Sequence, residues 1–189
     1  MSGKQLVIIE YHVNLISMDN DAREDAASAP FDNCSFPPPD FLKITGDKNL
    51  SAILVERWVE INRCLQSDAH LAGIILMGGI LEAVFLAIAL KFPGQARECE
   101  SAPLDKNGKI KKIRDWTLND LINVAYDCDW IRQDAAKFGH LLRKYRNLVH
   151  PWEQLTSENE TPSKDDCSEC WKTVRSSLYD LEKLEKPSN

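Results

Sequence analysis

The chain has 189 residues, of which 43% are hydrophobic and 28% charged, with a formal net charge of −6. This length fits one domain with extended ends, and the near-average composition argues against bulk disorder. The acidic balance argues against a broadly basic nucleic-acid coat protein but is compatible with a local basic site.

Residues 1–40 are predicted to form a peripheral N-terminal segment. Residues 4–18 are rich in Val and Ile and alternate in polarity, which predicts a strand. Its pairing stays open between a second copy of the chain, a hairpin and a loose segment. Residues 19–40 are acidic, rich in Ala and Ser and end in Phe36-Pro37-Pro38-Pro39, which is the composition of a linker. The apolar run at residues 6–9 is too short for a secretory signal, so we expect a cytoplasmic protein with reduced thiols.

Residues 41–186 are predicted to fold as an all-α bundle of about five helices. In chain order, the first helix is expected at about 50–65, and the second from a Ser67/Asp68 cap to Phe92. The third is expected from a Thr117/Asp120 capping box through Ala125, the fourth at about 133–150, and the fifth from about 162–166 onward. Because Pro151 follows the fourth helix and disfavours an α conformation before it, that helix is expected to end at His150.

The second predicted helix contains an apolar stretch at Leu71–Leu90 that is long enough to span a bilayer. Glu82 lies near its centre, where an ionisable group is costly in lipid, and no aromatic belt flanks the stretch. We therefore predict a buried core helix and no membrane partner, with a membrane span as the alternative. Glu82 has two interpretations: a group that orients an arginine on the fourth predicted helix, or half of a buried structural ion pair, for which Arg57 is one candidate partner.

The cysteines and the basic loop each allow a functional and a structural interpretation. There are six cysteines, and Cys167 and Cys170 form one C-x-x-C. Zinc needs four ligands and no second pair is present, so these thiols are expected to be structural, with no metal and no cofactor. Residues 106–114 hold five cations, which describe either a solvated loop or a phosphate-binding site that uses Lys109, Lys111 and Lys112.

The fourth predicted helix carries the most specific pattern in the chain. Arg143, Arg146, Asn147 and His150 follow the spacing i, i+3, i+4, i+7 and form a polar row about 10 Å long, opposite an apolar stripe. Guanidinium groups bind phosphate oxygens, imidazole transfers protons near neutral pH, and the amide can orient either partner. At a helix C-terminus, the macrodipole would favour protonated His150. The alternative is an ordinary solvated face with a capping histidine.

Residues 142–151, LRKYRNLVHP, resemble the R-x4-6-H signature of HEPN domains, and the segments around Arg57-Trp58, Leu71–Ala83 and Trp116–Ile122 resemble the helices that precede it. This resemblance implies an all-helical homodimer in which arginine and histidine rows of both chains meet in a cleft. It also implies metal-independent endoribonuclease activity in toxin or phage-defence systems, with an antitoxin-like protein as a further partner.

By this resemblance His150 supplies the imidazole and Asn147 the polar residue after the arginine. Arg146 precedes Asn147 as in the motif but has only three residues before His150, whereas Arg143 has six and is followed by Lys144. Either arginine could bind the scissile phosphate. Other members of the family are non-catalytic scaffolds, nucleotide binders or dimerisation modules, and that function remains the alternative.

Overall fold

A computed structural model describes residues 36–156 and 161–184, and the chain is mostly helical with no strand in these residues. The all-α prediction is thus confirmed for this part of the chain. The strand predicted at residues 4–18 lies outside the described residues, as does most of the predicted linker.

Eight α-helices and two 3₁₀ turns form the described fold. The α-helices are α1 Phe41–Thr45, α2 Lys48–Gln66, α3 His70–Lys91, α4 Pro93–Glu98, α5 Leu118–Asp127, α6 Gln133–Arg146, α7 Pro151–Thr156 and α8 Lys164–Glu182, and the 3₁₀ turns are Ile113–Asp115 and Asn147–Val149. The sequence predicted about five helices. Three of the eight have only five or six residues, which is too short for a helical period to be visible in the sequence.

Helix α3 is the centre of the bundle. It packs against α1, α2, α5, α6 and α8, so its apolar side chains meet neighbours in several directions. It is the one helix in residues 36–156 and 161–184 that is long and apolar enough to cross a membrane, and half of its most apolar window is buried inside the fold. A helix that is apolar on all sides and surrounded by other helices fits the predicted core helix.

The residues at which two helices begin show whether the predicted helix caps form. The cap expected from Ser67 and Asp68 is wrong: α3 is preceded by Ala69, which makes no side-chain bond, and Asp68 adopts a left-handed backbone (φ 54°) in the tight turn after α2. The Thr117/Asp120 capping box is confirmed, since the Asp120 carboxylate accepts bonds from the backbone and hydroxyl of Thr117, both at 2.8 Å.

Residues 36–40 pack on the bundle, although their sequence suggested a linker. The buried indole of Trp58 donates to the Phe36 carbonyl at 2.8 Å, and the Arg175 guanidinium lies 3.6 Å from the centre of the Phe36 ring. The Tyr179 hydroxyl donates to the Pro37 carbonyl at 3.4 Å. These contacts attach the start of the described chain to α2 and α8.

A disulfide joins Cys99, just after α4, to Cys128, at the end of α5. This corrects the expectation that the thiols are all reduced, which rested on the assumed compartment and not on spacing. Cys167 and Cys170 are free and buried, and burial raises the pKa of both thiols to about 12. Their predicted structural role agrees with thiols that stay protonated and surrounded by core side chains.

Residues 104–112, here called the basic hairpin, form a compact turn. Leu104 and Ile110 pair in an antiparallel bridge, and the Asp105 carboxylate accepts bonds from the backbone N–H groups of Asn107 and Lys109. Gly108 takes φ 73°, a conformation that favours glycine. The turn is therefore held by its own backbone bonds and by the Asp105 carboxylate, while Lys109 and Lys112 are exposed and Lys111 is partly exposed.

Candidate functional site

The polar row lies where α6 ends, and the helix ends earlier than predicted. The α-helical hydrogen bonding stops at Arg146, and Asn147–Val149 continue as a 3₁₀ turn. The predicted end at His150 is therefore wrong. The proline rule located the break one short turn too late, because the chain tightens before it reaches Pro151.

Arg143, Asn147 and His150 are exposed along this segment. Arg143 and Asn147 are four residues apart, one turn of the α-helix. In a 3₁₀ turn residues i and i+3 eclipse each other, so Asn147 and His150 lie on the same side, and the His150 backbone N–H donates to the Asn147 carbonyl at 3.2 Å. These three side chains therefore share one solvent-facing side. The side chain of Arg146 lies outside the described part of the structure.

His150 stands at a junction between two helices and not at a plain helix C-terminus. Pro151 opens α7, in the position where a missing N–H is harmless, and the His150 carbonyl accepts a bond from the Gln154 N–H at 3.3 Å. The positive end of the α7 dipole thus faces His150. The predicted macrodipole effect on His150 assumed a single helix end and stays a prediction.

His140 is a member of this surface that the sequence reasoning missed. It is half-buried on α6, one turn before Arg143. Burial lowers its pKa below the ordinary value of 6.5, and the nearby Arg143 guanidinium lowers it further. The signal was present in the spacing, because His140 and Arg143 are i and i+3 on one helix. The site therefore places a neutral imidazole beside the arginine at pH 7.

The end of α6 is fixed by its neighbours. The Tyr145 hydroxyl bonds to the Asp166 carboxylate at the start of α8, where Ser163 also donates to Asp166 and is the larger cause of the lowered pKa of Asp166. Gly139 permits a close approach of α5, since a Cβ built there would lie 3.1 Å from the Ile122 Cδ1. A rigid helix end is what a precise polar site requires.

Glu82 is partly buried on α3, the helix that packs against α6. The alternative of an ion pair with Arg57 is wrong, because Arg57 pairs with Glu60 at 2.6 Å on the surface of α2. The interpretation of Glu82 as a group that orients an arginine of the row and that of a structural ion pair with another residue both stay predictions.

The basic hairpin leads into the same end of the bundle. Helices α5 and α6 are joined by a short turn and are therefore antiparallel, with Ile122 opposite Gly139. Because the two helices run in opposite directions, Leu118, four residues before Ile122, lies level with Arg143, four residues after Gly139. The hairpin and the first 3₁₀ turn directly precede Leu118, so Lys109, Lys111 and Lys112 approach α5 from the end at which the polar row lies.

An apolar surface adjoins the row. Val149, Trp152 and Leu155 have exposed fractions of 49%, 72% and 70%, and all three lie within the 3₁₀ turn and α7 that bracket His150. Exposed aromatic and aliphatic side chains at this density mark interaction surfaces more often than ordinary solvated ones.

Within residues 36–156 and 161–184, no group of three or more His, Cys, Asp or Glu side chains is arranged to hold a metal ion. No protein-family model matches the chain, and no curated protein and no solved structure is significantly similar to it.

Proposed function

We propose that the chain is a metal-independent endoribonuclease of the HEPN type that acts as a homodimer, with a role in phage defence or as a toxin. The observation that carries the proposal is the exposure of Arg143, Asn147 and His150, whose spacing along the helix and the 3₁₀ turn places them on one side. A guanidinium, an amide and an imidazole within one turn or two of each other supply a phosphate ligand, an orienting group and a proton carrier.

In the proposed reaction the ribose 2′-OH attacks the adjacent phosphorus and the 5′-oxygen leaves. The Arg143 guanidinium binds the non-bridging oxygens and stabilises the charge that grows on them. His150 transfers a proton to or from the reacting oxygens, and Asn147 orients the imidazole or the phosphate. The products are a 2′,3′-cyclic phosphate and a 5′-hydroxyl. Arg146 belongs to the same proposal as the second arginine of the motif.

The dimer in this proposal uses the apolar surface of Val149, Trp152 and Leu155. Because these side chains adjoin His150, covering them with a second copy would bring two polar rows together and exclude water from the space between them. The exposed cations Lys109 and Lys112, with Lys111, steer RNA toward the row. A compartment that contains RNA is implied, in keeping with the predicted cytoplasmic location, and an antitoxin-like protein remains the further predicted partner.

The test is cleavage of an end-labelled RNA pool in EDTA by wild type, His150→Ala and Arg143→Ala. The matched control is Lys137→Ala, which removes an exposed cation from the same helix about 120° away from Arg143. We expect wild type and Lys137→Ala to leave cyclic phosphate ends, and the two row variants to lose about 10²-fold or more of the rate. Undiminished cleavage by folded His150→Ala would refute the proposal.

The second candidate is a non-catalytic interaction or nucleotide-binding module with the same fold. The observation that favours it is the large exposed area of Trp152 and Leu155, which are stronger evidence for a protein partner than for RNA. Sedimentation of wild type and of Trp152→Ser measures dimerisation, and together with the cleavage assay it distinguishes the two candidate functions. Loss of dimerisation by Trp152→Ser, with no cleavage by wild type, would support the module.

A further inference from the structure

We infer that the Cys99–Cys128 disulfide is a reversible redox site that cationic and neutral thiols open faster than anionic thiols, and that its opening frees the basic hairpin. The disulfide lies at the Cys128 end of α5, opposite the Leu118 end that is level with the polar row, and the inference does not depend on RNA cleavage. It rests on the disulfide, on the groove beside it and on the few bonds that hold the hairpin.

The sulfurs border a solvent-open groove. The groove has a volume of about 490 Å³, within the size range of small-molecule pockets, and Cys99 is only partly buried on its wall. A small thiol can therefore approach the sulfur of Cys99, while Cys128 is buried and makes the more protected target. The disulfide is thus accessible to small thiols, whereas the thiols of Cys167 and Cys170 are buried.

The groove is strongly anionic. Its lining includes the carboxylates of Glu98, Glu100, Asp127 and Asp129, and no Lys or Arg is part of that lining among the described residues. Reduction begins when a thiolate attacks a sulfur, so the potential of the groove acts on the charge of the attacking molecule. Glutathione carries a net negative charge and is repelled, whereas the ammonium group of cysteamine balances the charge of its thiolate, so cysteamine is not repelled.

The reaction balances with a small thiol as reductant. A thiolate attacks the Sγ of Cys99, the disulfide bond breaks, and Cys128 leaves as a thiolate that takes a proton from water. A second thiolate attacks the mixed disulfide and releases Cys99, which is protonated in turn. Two electrons enter the protein, and two molecules of reductant become one molecule of their disulfide.

The hairpin depends on this bond at its base. Between Cys99 and the bridge at Leu104, the chain is held by Ser101, whose backbone N–H and hydroxyl both donate to the exposed Asp127 carboxylate. At the far side the Trp116 indole donates to the Lys111 carbonyl at 3.2 Å. With the disulfide open, the near side keeps the buried methyl of Ala102, its backbone bond to the Cys99 carbonyl and the exposed bonds of Ser101, which compete with water.

The first experiment measures the rate at which the wild-type disulfide is reduced by cysteamine and by glutathione. Each rate is divided by the rate of the same thiol with an uncharged model disulfide. We expect cysteamine to be favoured by about tenfold at low salt, with the preference falling as salt screens the carboxylates. The variant Glu98→Gln/Glu100→Gln should lose part of the preference. Equal corrected rates for the two thiols would refute charge selection.

The second experiment follows tryptic cleavage after Lys106, Lys109, Lys111, Lys112 and Arg114 in oxidised and reduced wild type. We expect severalfold faster cleavage after reduction, with unchanged cleavage at sites elsewhere in the bundle, which excludes global unfolding. Cys99→Ser should be cleaved at the faster rate with and without reductant. Unchanged cleavage of the hairpin on reduction, or six free thiols titrated in the denatured protein before any reduction, would overturn the inference.

Discussion

The substitution Trp58→Phe tests how the start of the described chain is attached to the core. Trp58 is fully buried, its ring centre lies 4.4 Å from that of Trp171, and its indole N–H donates to the Phe36 carbonyl. Phenylalanine has no donor, so the buried carbonyl would lose its partner at a cost of about 1–3 kcal/mol. The smaller ring would also leave a void on the order of 40 Å³, which costs about 1 kcal/mol.

Together these losses predict that the free energy of unfolding falls by about 2–4 kcal/mol. The measurement is guanidinium unfolding followed by circular dichroism, and Trp152→Phe is the matched control. Trp152 is 72% exposed on α7, so the same substitution there should change the unfolding free energy by less than about 0.5 kcal/mol. A loss below about 0.5 kcal/mol for Trp58→Phe would refute the inferred role of the Phe36 carbonyl.

Three further measurements test the packing and the site. Gly139→Val should lower the free energy of unfolding by about 1–3 kcal/mol because its Cβ meets Ile122, whereas Gly79→Ala, with open space at its Cβ, should raise it by about 0.5–1 kcal/mol. Ser163→Ala should cost about 1 kcal/mol by removing the α8 cap, as measured by thermal unfolding. The lowered pKa of His140 means that the unfolded chain binds the proton more tightly, so stability should fall as pH drops below 6.5, and His140→Gln should flatten this slope between pH 5 and 7. An unchanged slope in that variant would contradict the assignment.

The longer helices were predictable because their apolar spacing repeats over several turns. The stripe predicted at about 50–65 lies within α2, Lys48–Gln66, and the capping box at Thr117 set the start of α5. The short helices were missed for the same reason, since α1, α4 and α7 span less than two turns and have no period to detect. Pro151 was interpreted only as a sign that a helix ends before it, although proline is also common as the first residue of a helix.

The sequence predicted which residues form the candidate site, but it predicted their arrangement only in part. Spacing alone identified Arg143, Asn147 and His150, but it assumed a continuous α-helix, and the 3₁₀ turn changes where His150 lies relative to the helix dipoles. The disulfide had no local signal, because Cys99 and Cys128 are 29 residues apart and their proximity depends on how α4 and α5 pack. Pairings of this kind follow from tertiary structure and not from spacing.

The central position of α3 has a consequence for synthesis of the protein. Helix α3 is complete at Lys91, but its neighbour α8 ends at Glu182, which is 182 − 91 = 91 residues later. At ribosomal rates of about 5–20 residues per second, this most apolar of the described helices is synthesised on the order of 5–20 s before α8 is complete. Nascent chains of this protein should therefore be substrates for chaperones that bind apolar helices, and ribosome-bound fragments ending before residue 164 should be retained by them.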